Sequence, residues 1–139
     1  MTDVQGERRF DAPRERVFEV LTSPDVVLAA LPAVRSHRVV EPDRWEAKVK
    51  PPLPLAPSVT IRFELVERRA PQHAELRAHG GGADVRSTFD LEDAGGATVM
   101  RWHAELHLAG PLGLLAGPGL DAVARRQAER TLDEVTRRL

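Results

Sequence analysis

The chain has 139 residues, with 20 basic and 21 acidic side chains and a formal net charge of -1. That length fits one domain, residues 1–139, burying about two-thirds of its unfolded surface, and the charge balance argues against a nucleic-acid footprint. With no cysteine, disulfides, thiolate zinc sites and thiol nucleophiles are excluded; with no tyrosine, one common acid/base side chain is missing. The opening "MTDVQGERRF" has no signal-peptide pattern, and no apolar run approaches the ~20 residues of a transmembrane segment, so a cytoplasmic domain is expected.

Val4–Phe10 reads as a short strand. "DAPRERVFEVL" then reads as a helix with Pro13 at its first position and Val17, Phe18 and Leu21 on one face. Ser23 caps a second short helix that Pro32 stops. A hairpin around Pro42–Arg44 follows. Val59, Ile61, Phe63 and Leu65 then alternate with Thr60, Arg62 and Glu64, the period of a half-buried strand. Ala74, Leu76 and Ala78 share a face of the next strand, Gly80–Gly82 turns, and Val85, Ser87, Phe89 and Leu91 share a face of another. After the turn at Asp93–Gly96, Met100, Trp102, Ala104, Leu106 and Leu108 alternate with Arg101, His103, Glu105 and His107. Antiparallel strands with one wet and one dry face are the expectation.

From Leu120, steps of 100° place Leu120, Val123, Ala124, Ala128, Thr131, Leu132, Val135 and Leu139 in one sector, opposite Arg125, Arg126, Glu129, Arg130, Asp133 and Arg137. Such a helix buries its stripe against the dry face of the sheet.

The order of one strand, two short helices, an antiparallel run and a long C-terminal helix resembles the START/Bet v 1-like (SRPBCC) superfamily. "RRFDAPRERVFEVLTSPDVVLAALP" is similar to the opening of the G-type subunits of carbon monoxide dehydrogenase and of polyketide cyclase-like proteins, through Ala12-Pro13, Val17-Phe18, Ser23-Pro24-Asp25 and Leu31-Pro32. "GGATVMRWHAELHLAGPLGLLAG" resembles the family's last strand and the Gly-Pro approach to its closing helix. The resemblance implies an α+β helix-grip fold, a curved antiparallel sheet of six or seven strands around the C-terminal helix. The match to the carbon monoxide dehydrogenase pattern departs at Ala33, where that pattern has Gly, and in stopping at Leu139 without a membrane-associating tail. Transient membrane or redox-enzyme contact is what remains implied from that side.

The resemblance also implies an apolar cavity between sheet and last helix. Its wall candidates are Trp45, Phe63, Phe89, Met100 and Trp102 on the strands, with Leu120, Val123, Gln127 and Thr131 on the helix. Apolar alternation alone would equally give a packed core. Ser87, Gln127 and Thr131 are polar within apolar sectors and need partners in protein, water or ligand; Gln127 and Thr131 are expected to orient a ligand's polar end. The Gly- and Pro-rich stretch 109–120, with Leu112, Leu114 and Leu115, reads either as a lid over the cavity mouth or as a packed connection. "KPPLPLAP" reads as a rigid connector or a polyproline-II segment, with Leu53 and Leu55 placed to rim the same mouth.

His103 and His107 share a strand face about 13 Å apart, too far to share an ion, and the remaining histidines show no ligand spacing, so no metal and no cofactor are expected. Glu64, Glu75, Asp90 and Glu105 alternate onto outward faces near arginines, as in cross-strand charge pairing. No catalytic motif is present. The leading expectation is therefore binding, with transport, of a hydrophobic small molecule of the lipid, quinone or polyketide type. The alternatives are a cyclase/dehydratase-type enzyme or an accessory factor for a molybdenum-containing redox enzyme such as carbon monoxide dehydrogenase. An enzyme would need a titratable group in the cavity, for which strand parity offers only Arg8 and Arg38.

Overall fold

A computed structural model describes residues 2–30, 34–50, 55, 57–110, 113 and 117–139. Strand β1 (Thr2–Phe10) leads into helices α1 (Arg14–Leu21) and α2 (Pro24–Ala29). Six strands follow: β2 (Val34–Glu41), β3 (Arg44–Val49), β4 (Val59–Arg69), β5 (His73–Gly80), β6 (Ala83–Asp93) and β7 (Thr98–Leu108). Helix α3 (Leu120–Arg138) closes the chain.

The strands form one antiparallel sheet in the order β1-β7-β6-β5-β4-β3-β2. Hairpins account for every step from β2 to β7, whereas β1 pairs with β7, the last strand made. The two short helices therefore carry the chain from one sheet edge to the other. The tightest reversal is β5 to β6, where Gly80 pairs with Ala83 and the two residues between them, Gly81 and Gly82, have φ of 60° and 90°. Both positive values suit a type I′ turn, which only residues without a Cβ adopt freely.

The helix starts differ slightly from expectation. Pro13 occupies the N-cap of α1, one residue before the helix, with its carbonyl accepting from the Arg16 and Val17 amides. Ser23 caps α2 through its backbone carbonyl, and its hydroxyl makes no capping bond. Pro32, expected to stop this helix, lies outside the described residues.

The core is in two parts. One cluster gathers Val4, Phe10, Val17, Phe18, Met100 and Val135 with their neighbours, around β1, β7, α1 and α3. The other holds Leu28, Trp45, Ala47, Ile61, Phe63 and Ala78. Leu76 packs against both. Helix α3 belongs to the first cluster, packing mainly on β1, α1 and α2. Leu120, Ala124, Leu132 and Val135 are its buried residues, while Val123, expected in the buried stripe, is 56% exposed. The stripe is narrower than its apolar residues because the helix meets only one side of the sheet.

Arg8 explains part of that placement. Its guanidinium donates to Glu129 and, at 2.9 Å, to Asp133, while Arg125 donates to the Gln5 carbonyl at 2.8 Å. These bonds tie α3 to the β1 edge. Arg8 is thus an anchor for the helix, and Arg38, 72% exposed in its side chain, donates to Glu46.

On the outer face, alternation correctly turns Glu75 away from the core, yet the residue is 6% exposed. Arg77 donates to one carboxylate oxygen at 2.8 Å, and Arg86 to the other at 3.0 and 3.1 Å. Hydrogen bonding from Arg86 holds the carboxyl below the ordinary glutamate range, against the opposing effect of burial and with help from Arg77. Since the folded-state pKa is lowered, this stabilisation is complete above the ordinary value of 4.5 and is lost as pH falls through the folded value. Glu75→Gln is expected to cost about 1.5–3 kcal/mol at neutral pH. Urea melts at neutral pH and below pH 4.5 should show the gap between variant and wild type closing in acid.

Candidate functional site

Between the two core clusters lies an apolar cavity of about 400 Å³, within the usual range of small-molecule pockets. It spans the dry face of β3–β7, closed on one side by α3 and at one end by Leu21, Thr22 and Val27 of the α1–α2 segment. The walls draw on both clusters: Val4, Met100 and Trp102 from one, Trp45, Ile61 and Phe63 from the other.

Of the residues singled out from sequence, Trp45, Phe63, Ser87, Phe89, Met100, Trp102, Gln127 and Thr131 line this space. Leu120 is buried in the first turn of α3 but is not part of the lining, and Val123 faces solvent. Leu115 lies outside the described residues, as do Leu53, Leu112 and Leu114. Leu55, expected at the rim, is wholly exposed.

Register explains how the aromatic walls meet. Trp45 and Phe63 are direct partners across β3 and β4, and their rings stack with centroids 5.7 Å apart and planes 5° from parallel. Phe89 and Trp102 are partners across β6 and β7, and Phe18 from α1 meets Phe89 edge-on at 5.9 Å. Trp102 is in turn opposite Gly6 of β1. A Cβ at Gly6 would lie 2.7 Å from the indole ring, so the missing side chain makes the room in which Trp102 lies. Nothing in "VQGERRF" marks that glycine; only the β1–β7 register does.

Several polar lining atoms are engaged by protein. Gln127 Nε2 donates to the Ala30 carbonyl at 2.9 Å, closing the C-terminus of α2. Thr131 Oγ1 donates to the Gln127 carbonyl at 3.1 Å, and Thr22 Oγ1 to the Phe18 carbonyl at 2.8 Å. Trp45 Nε1 is a buried donor with no acceptor among the described residues.

Neither Arg8 nor Arg38 lines the cavity, so the two titratable candidates offered by strand parity are not where an enzymatic reading needs them. Among the described residues His103 is the one titratable residue at the lining, and its ring nitrogens lie on the outer face, 3.3 Å from Asp3 and 3.9 Å from Glu105. Ligand atoms of these three residues fall within 4.8 Å of one another, a spacing that could hold a cation. Sequence spacing tested His103 only against His107 and missed this group, because Asp3 arrives from another strand. Cross-strand charge pairing accounts for the same geometry. A smaller recess of about 200 Å³ on β2–β4, bordered by Arg38, Glu46 and Lys48, is separate from the cavity.

A model of the family described as "Polyketide cyclase / dehydrase and lipid transport" matches residues 1–139. No curated protein matches the sequence. Among solved structures, a conserved protein from Geobacillus kaustophilus is similar with a TM-score of 0.84 at 15% identity, over 99% of this chain and 94% of that one. A START superfamily protein from Mycobacterium smegmatis gives 0.75 at 12%, over 98% and 95%. Ara h 8.0201 gives 0.71 at 11%, over 97% and 95%. At such identities the likeness concerns the fold, which is the helix-grip fold of the START/Bet v 1-like superfamily. Among the described residues no helix is long and apolar enough to cross a membrane.

Since Gln127 closes α2, Gln127→Leu should act on stability. A loss of about 0.5–1.5 kcal/mol is expected from the unpaired Ala30 carbonyl, measured by chemical denaturation. Retention of full stability would mean that the amide is free to serve a ligand.

Proposed function

Because the chain belongs to the polyketide cyclase/dehydrase and lipid transport family, we propose that it binds and carries a hydrophobic small molecule, of the lipid, quinone or polyketide type, between its sheet and α3. The observation that carries this reading is the divided core. Two clusters of buried side chains stand apart, bridged by Leu76, and the space between them is walled by aromatic and aliphatic groups. A domain with nothing to bind gains by closing such a gap, since an unfilled apolar space forfeits dispersion contacts. An apolar guest restores those contacts and brings about 25 cal/mol per Å² of its buried surface, before ordering costs.

Carriage is favoured over cyclase-type catalysis by the lining. General acid–base work requires a titratable atom within hydrogen-bond reach of the guest, and the imidazole of His103 is engaged with carboxylates on the outer face.

Ala104, opposite Ser87 at the middle of the wall, is the place to test the space. Ala104→Phe should fill part of the cavity while leaving the fold intact. Prodan, a neutral fluorophore whose emission shifts blue in apolar surroundings, is expected to bind the wild type and to bind this variant at least about tenfold more weakly, a loss of about 1.4 kcal/mol. Equal binding by both would count against the cavity as the site. Native mass spectrometry of the freshly purified wild type should further reveal an extractable guest of a few hundred daltons, about what a pocket of this class encloses.

A further inference from the structure

We propose that Ser87 seats the guest, its hydroxyl bonding to an uncharged oxygen, a carbonyl or a hydroxyl, set among the apolar carbons of the molecule carried. This deepens the carrier reading and rests on it.

Strand alternation puts Ser87 on the dry face of β6, between Val85, which packs against the second cluster, and Phe89, which packs against the first. Its partners across the register are Leu76 on β5 and Ala104 on β7, and all five residues line the cavity. A hydroxyl therefore stands at the seam where the two clusters part. Ser87 is half-buried, as are the four apolar residues around it, so this part of the dry face is left uncovered. A wall meant only to pack would carry an apolar side chain here, since covering a hydroxyl without a hydrogen bond costs free energy.

Ser87 also differs from the polar lining residues on helices. Thr22 and Thr131 turn their hydroxyls to the carbonyl four residues back, and Gln127 gives its amide to Ala30. A strand presents no such carbonyl, and β6 is laddered to β5 on one side and β7 on the other. The side chains of Leu76, Val85, Phe89 and Ala104 offer no acceptor. A hydroxyl has one donor and two acceptor sites, so it suits either kind of neutral oxygen.

An ionised head is a poor match for this seat. No lysine or arginine is among the described lining residues, and the residues outside the described set are Met, Leu, Pro and Ala throughout. A carboxylate drawn to Ser87 would exchange its hydration for one neutral hydrogen bond. A carbonyl or hydroxyl gives up far less.

Three probes test this on the full chain: 9-fluorenone, whose carbonyl lies between two rings, its hydrocarbon counterpart fluorene, and fluorene-9-carboxylate at neutral pH. Ser87→Ala should weaken fluorenone about three- to tenfold, the yield of one neutral hydrogen bond, and leave fluorene unchanged. The carboxylate should bind the wild type at least about tenfold more weakly than fluorenone. The infrared carbonyl band of fluorenone on the wild type should lie below its position in hexane, because hydrogen bonding weakens the C=O bond. In Ser87→Ala it should return toward that position. The wild-type band decides even where the variant fails to fold.

A wild-type band at the hexane position, or equal fluorenone binding by wild type and variant, would overturn the seat and leave the cavity standing. So would an equal loss of fluorenone and fluorene in the variant, the mark of a residue that only shapes the wall. Carboxylate binding as tight as that of fluorenone would overturn the neutrality of the guest. If neither fluorenone nor fluorene binds the folded wild type, the carrier reading fails and the seat with it.

Discussion

A single α-helix, about 10–12 Å across with its side chains, cannot cover a sheet of seven strands. Six inter-strand steps of about 4.8 Å make such a sheet roughly 29 Å wide even before twist is considered. The helix must therefore choose where to lie. Here it is tied to the β1 edge by Arg8 and Arg125, and the short helices that carry the chain across the sheet pack beside it. The remaining dry surface, on β3 to β7, faces a gap. The cavity follows from this mismatch of areas and from the side on which α3 is fixed.

The same constraint accounts for the composition of the walls. Flat rings on neighbouring strands tile the uncovered surface, Trp45 against Phe63 and Trp102 against Phe89. Gly6 is the complement of that tiling, since the indole of Trp102 lies where a side chain on β1 would otherwise project. Gln127 and Thr131 spend their side-chain donors on helix backbone carbonyls. The interior is consequently largely apolar.

Much of the fold was legible in the sequence because antiparallel strands with one dry face carry a period of two, and this chain keeps that period from β4 to β7 with few breaks. The faces of Phe63, Phe89, Met100 and Trp102 followed from it directly. What failed was whatever depended on a second element. Val123 sits in the apolar sector of α3, but the sector is wider than the partner it meets. Arg8 has inward parity and is claimed by carboxylates on a helix more than a hundred residues away. Glu75 has outward parity beside arginines, as charge pairing requires, but parity does not show that Arg77 and Arg86 together leave its carboxylate buried. Trp45 is a wall candidate from the sequence, which does not show that its nitrogen finds no acceptor among the described residues.

The strand farthest from α3 bears the consequence of this asymmetry. All of β2 beyond its first residue is exposed, and β3 is its one neighbour in the sheet. Its attachment to the domain runs through the second cluster, which α3 does not reach. Regions with few buried contacts open at free energies below that of global unfolding. An empty protein is thus expected to be graded in stability, firm at β1 and β7 and loose toward β2. A guest touching both clusters would join them into one cooperative unit, so that amide protection along β2 and β3 becomes a record of whether the interior is occupied.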